Sequence, residues 1–173
     1  MLVINLVTIF ILGYIVYQDI KNREVYWILL GMLFILSIIS GLLEVSTIIY
    51  FRICLSNLLF LFMQLSLLAG FYLLKGVSSK SIFKTYLGLG DLILFIVVTF
   101  AFSKLNFIVY YLTGLIFSLL IWSIIRKTSA YARDQVPLAG LMSLYLILII
   151  LADLIFKLPE RFNDNFLIHL IYG

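Results

Sequence analysis

Residues 25–43 read VYWILLGMLFILSIISGLL, nineteen consecutive positions without one charged side chain. A helix that crosses the hydrocarbon core of a bilayer needs about 20 mostly apolar residues. This stretch meets that requirement, and its neighbours repeat it. Upstream lies a run from Leu2 to about Ile20. Downstream come Ile53–Leu74, Thr85–Phe102, Leu105–Ile125 and Val136–Phe156, the last closed by Lys157 and Pro159. The expected fold is therefore all-α: a polytopic membrane protein of six transmembrane helices, forming one membrane-embedded domain over residues 1–173. The first run has no basic lead-in and no small-residue cleavage site, so it reads as a retained helix rather than a signal peptide.

The composition agrees. Hydrophobic residues make up 65% of the 173 positions and charged residues 12%. A water-soluble domain is about half apolar and about a quarter charged. Too little polar surface remains here to cover a globule. The aromatic share of 16% is expected at lipid-facing and interfacial positions. Cys54 is the only cysteine and His169 the only histidine, so no disulfide and no Cys/His metal site can be assembled within the chain. Cys54 reads as a small apolar side chain. The formal charge of +4 reports loop topology rather than nucleic-acid binding, and no nucleic-acid partner is expected.

The joints between runs are short and leave no room for a soluble domain. The tail from Leu158 to Gly173 is too short to span, and its Phe166–Tyr172 run is expected to lie at the interface. Lys21, Arg23, Lys75, Lys80, Lys84, Arg126, Lys127 and Arg133 fall on one side of the bilayer. Arg52, Lys104, Lys157 and Arg161 fall on the other. The positive-inside rule then puts the N-terminus outside and the three basic loops in the cytoplasm.

Five acidic residues, Glu24, Glu44, Asp134, Glu160 and Asp164, fall in loops or the tail and read as solvated charges. Asp153 precedes Lys157 by one turn, which an ion pair at the interface explains. Asp91 differs. If its helix begins near Thr85, it lies about one and a half turns inside the apolar run, and a carboxylate at such depth costs on the order of 3 kcal/mol. Asp19 closes the first run on the same side of the bilayer as Asp91, whichever way the chain is inserted. Gly88 and Gly90 precede Asp91 and leave backbone room for a close approach.

Two carboxyls brought together do not readily both ionise. They share a proton. The charged partner can act as general base on a water while the protonated one polarises a peptide carbonyl. That chemistry requires no metal and no cofactor.

Gly88-Leu89-Gly90-Asp91 matches the Gly-x-Gly-Asp signature of intramembrane aspartic proteases, a group that includes presenilin and the type IV prepilin peptidases. Asp19-Ile20-Lys21-Asn22-Arg23-Glu24-Val25 resembles the Asp-x-(Lys/Arg)-x-Arg-x-(Ile/Val)-Pro segment after the first core helix of prepilin and preflagellin peptidases. Val136-Pro137-Leu138 is similar to the Pro-containing start of that family's last helix. The order of the motifs and the six-run layout are also similar. Two positions depart from the pattern: Tyr26 stands where the first motif ends in Pro, and Ile93 where the second often has Lys. The resemblance implies that Asp19 and Asp91 are the catalytic pair. It implies a precursor of a pilin, pseudopilin or archaellin as substrate, cut at the cytoplasmic face between a short leader and an apolar helix. Gly88 and Gly90 would supply backbone room, and Lys21 and Arg23 would hold the loop at the headgroups or touch the leader. Larger members carry an N-terminal segment with paired cysteines associated with N-methylation. Without that segment, peptidase activity alone is expected.

Two other readings stand beside this one. A small transporter or channel subunit would use Asp91 as a proton or cation site, with Asn57 and Gln64 along the route. An assembly protein with a retired active site would account for the missing Pro and Lys, and the retained Asp19 and Asp91 oppose it.

Overall fold

The computed structural model describes residues 1–76, 88–128 and 136–156, together with Phe162 and Asp164. Among them run six helices and no strand: α1 Leu2–Asn22, α2 Trp27–Glu44, α3 Thr47–Leu74, α4 Leu89–Val98, α5 Lys104–Thr128 and α6 Leu138–Phe156. Five are long and apolar enough to cross a membrane, and α4 is not. The protein is thus an all-α polytopic membrane protein, with a correction to the expectation of six full spans. Thr85, Lys80, Lys84, Arg133, Asp134, Lys157, Glu160, Arg161, His169 and the Phe166–Tyr172 run lie outside the described residues.

The bundle is organised around the pairing of α1 with α6, the most extensive helix contact among the described residues. The buried side of α1 is Thr8, Ile11, Leu12, Ile15, Gln18 and Asp19. Their spacing of three and four residues marks one helical face. Asp19 is simply the last member of that stripe, which is why it is buried rather than facing water. The opposing face of α6 begins with Ala139 and Gly140 and continues through Ser143. Small residues let two helix backbones approach closely where no solvent drives association. Leu12, Ile15, Leu33, Leu94, Met142 and Ile150 then fill the centre between α1, α2, α4 and α6.

The short α4 has a physical cause. Ten residues rise about 15 Å, roughly half of a hydrocarbon core about 30 Å thick. Past Val98 the chain turns through a corner at 99–103 before α5 begins. Thr99, Ala101, Phe102 and Ser103 are all buried there. Non-helical backbone at this depth persists only where protein satisfies its polar groups. The last carbonyls of α4 are used by tightened turns: Phe95 and Ile96 accept from the Thr99 N–H, Val97 from Phe100, and Val98 from Ala101. The corner's own carbonyls are taken by α3. The Asn57 amide donates to the carbonyls of Thr99 at 3.0 Å and Phe102 at 2.9 Å, and the Tyr50 hydroxyl donates to that of Phe100 at 3.1 Å. Tyr50 and Asn57 lie two turns apart on one face of α3.

Other expectations change with these contacts. Asn57 is buried, and its amide nitrogen is committed to the corner. Asp164 is not simply solvated: it accepts from the Ser103 hydroxyl and from the Asn106 N–H. Glu44 is the last residue of α2, half-buried, with the Ser40 hydroxyl donating to it. Helix α3 starts six residues earlier than expected and includes Arg52. Cys54 is buried against Tyr50, as its apolar reading requires. The aromatic residues divide. Many face outward, but Phe95, Phe102, Phe107, Tyr110 and Tyr111 are buried. They stack or meet edge-to-face between α3, α4 and α5, and Tyr110 donates its hydroxyl proton to the Met142 carbonyl of α6.

Candidate active site

Three helix ends converge at one end of the bundle: the C-terminus of α1 and the N-termini of α4 and α6. Asp91 belongs to the first turn of α4, not one and a half turns inside it. Gly88 is the N-cap, and its N–H donates to Asp91 Oδ2 at 3.3 Å. This is half of a capping box, with the third helical residue reaching back to the cap. The other oxygen, Oδ1, accepts from the Ala139 N–H of α6 at 2.7 Å. Asp19, arriving from α1, places Oδ2 2.6 Å from the Gly140 N–H. The two carboxylates are thus held by consecutive amides of a third helix.

An open cleft of about 490 Å³ lies over the pair. Asp19, Arg23, Glu24, Val25, Tyr26 and Trp27 form one wall; Gly88, Leu89, Gly90 and Asp91 form the other; Ala139 lies at the junction. Its lining is mixed, with acidic, basic, aromatic and bare backbone surface in reach of both carboxylates.

The two glycines do different things. A Cβ at Gly88 would sit 3.0 Å from Asp91 Oδ2, so a side chain there presses on the carboxylate itself. A Cβ at Gly90 would meet only Val25, at an ordinary 3.6 Å, and Gly90 matters as cleft wall rather than as helix packing.

Arg23 and Lys21 separate as well. Arg23 ends α1 in the left-handed region, φ 61°, with its N–H donating to the Asp19 carbonyl. That conformation costs a non-glycine residue roughly 1–2 kcal/mol. Its guanidinium stacks 4.7 Å over the buried ring of Trp122 in α5. It therefore lines the cleft and meets a protein aromatic. Lys21 is exposed, donates to the Tyr17 hydroxyl at 2.7 Å and does not line the cleft.

Four contributors were not singled out in the sequence. Gln18, buried beside Asp19, accepts from the Tyr26 N–H at 3.1 Å and folds the 23–26 loop back onto α1. An N–H is available there because position 26 is Tyr and not Pro. Ala139 and Gly140 follow Pro137, and a small pair just after a Pro-opened helix was the signal to notice. Trp122 had no local signal, being 99 residues from Arg23. Ile93, where a lysine was expected, is exposed and lies away from the cleft. Among the described residues no three potential metal ligands cluster. The chain matches no protein-family model, and no curated protein or solved structure matches it.

Proposed function

We propose that the protein is a membrane aspartic endopeptidase that removes the short leader of prepilin-like or preflagellin-like precursors at the cytoplasmic face of the cell membrane. The observation that carries this reading is the meeting of Asp19 and Asp91, from helices 72 residues apart, on neighbouring amides below an open cleft. An isolated membrane carboxylate serves many ends. Two that share one cleft support general acid–base hydrolysis, with one charged to activate water and one protonated to polarise the peptide carbonyl. The basic loops on the side of the pair, by the positive-inside rule, favour a cytoplasmic site and an external N-terminus. The apolar helix of such a precursor would remain in the bilayer beside the bundle, and its leader would enter the cleft past Gly88 and Gly90.

The transporter reading is the weaker one. It gives Asp19 no task, and the Asn57 amide it would need is spent on two backbone carbonyls. The deciding experiment uses the purified protein in liposomes with a candidate precursor, read as leader loss on a gel. Asp19→Asn and Asp91→Asn should each abolish processing. Undiminished processing by either variant would overturn the assignment.

A further inference from the structure

We infer that the first turn of α6 is the positioning device of the aspartate pair, with the backbone N–H groups of Ala139 and Gly140 setting where the two carboxyls stand. The inference rests on the peptidase reading and adds to it two backbone donors that act through the carboxyls they hold. The first N–H groups of any helix have no partner within the helix. Capping residues normally satisfy them, but α6 is preceded by Pro137, whose side chain has no acceptor. The acceptors come instead from two other helices, one to each amide: Asp91 to Ala139 and Asp19 to Gly140. Neither α1 nor α4 needs to touch the other for the pair to form. Their carboxyls share a spacing because adjacent amides have a fixed one.

Gly140 makes this possible. A Cβ there would stand 3.0 Å from Asp19 Oδ2 and 3.1 Å from Asp19 Cβ, so a side chain presses on Asp19 and shifts its carboxyl by a few tenths of an ångström. Gly140 is buried and does not line the cleft, so the displacement acts on the pair and leaves the substrate's walls intact. A capping role alone would show as lost stability. A positioning role shows as lost turnover, and small errors in the placement of reacting groups cost up to about a hundredfold.

The test compares Gly140→Ala with a protein in which residue 140 is the α-hydroxy analogue of glycine, which exchanges the N–H for an ester oxygen and adds no bulk. Both should lower kcat at least about tenfold with KM within about twofold, at unchanged helicity. A second readout is independent of activity. The amide proton of Gly140, recorded by NMR in micelles, should shift in Asp19→Asn, and that of Ala139 in Asp91→Asn, because each donates to one of the two carboxyls. Unshifted amides overturn the positioning inference whatever the cleavage result, as does the ester variant turning over at the wild-type rate. Shifted amides with no cleavage by the wild-type protein overturn the peptidase reading and leave the clasp in place.

Discussion

Asn57→Leu should destabilise the protein by about 2–4 kcal/mol, although the change makes the interior more apolar. The side chain is buried on α3 and holds two carbonyls of the corner after α4, at 3.0 and 2.9 Å. Side-chain hydrogen bonds between membrane helices average about 0.6 kcal/mol each, so two give a floor near 1 kcal/mol. A buried carbonyl left with no donor costs about 1–3 kcal/mol, so two give a ceiling near 6. Thr99 is fully buried and Phe102 nearly so, which leaves little access for a replacement donor and lifts the result off the floor. The added apolar surface of leucine offsets part of the loss and brings it below the ceiling. The assay is unfolding in mixed micelles by a denaturing detergent, followed by tryptophan fluorescence. Tyr50→Phe, which removes one bond to Phe100, serves as the smaller companion at about 1 kcal/mol. Because the corner anchors the helix that carries Asp91, Asn57→Leu should also slow turnover. A change in stability below about 0.5 kcal/mol would refute the argument that α4 ends where it does because α3 satisfies the corner.

Trp122→Leu should remove the stack beneath Arg23, worth about 0.5–2 kcal/mol, and raise KM for a precursor more than it lowers kcat; an unchanged KM means Arg23 plays no part in the cleft wall. Gly88→Ala should cut turnover severalfold by pressing on Asp91, whereas Gly90→Ala should leave stability within about 0.5 kcal/mol and act on KM through the narrowed cleft; equal effects at both positions would contradict their different surroundings. The rate should be bell-shaped in pH. It falls at low pH when the pair takes up its second proton and loses its general base, and at high pH when the shared proton leaves and nothing polarises the carbonyl. A rate that rises with pH to a plateau, or one abolished by a chelator, would point to other chemistry.

How far the sequence could be read depended on the range of the interactions involved. The charge-free stretch at 25–43 corresponds to α2 at Trp27–Glu44, since hydrophobic length alone decides it. The common side of Asp19 and Asp91 follows from counting spans. The burial of Asp19 was not read from the sequence, although the residue continues the buried stripe of Ile11, Ile15 and Gln18. What escaped depends on partners far along the chain. The end of α4 at Val98 is set by Asn57 and Tyr50, 42 to 50 residues away from the carbonyls they hold. An apolar run through Phe102 gives no sign of it. The role of Gly140 depends on a residue 121 positions away. Asn57, viewed alone, reads as part of a polar route, and only the geometry of the corner shows it is a cap. The two departures from the resembling motif became local facts: Tyr26 supplies an N–H that Gln18 accepts, and Ile93 faces away from the cleft.

The account stands on two carboxyls acting as one unit, and the most direct measurement is cleavage of a precursor by Asp19→Asn, Asp91→Asn and the double variant in the same liposomes. Residues that act as a unit are non-additive, so either single change should lose as much rate as both together. Independent, multiplying losses, or a single variant that still cleaves at the wild-type rate, would contradict it.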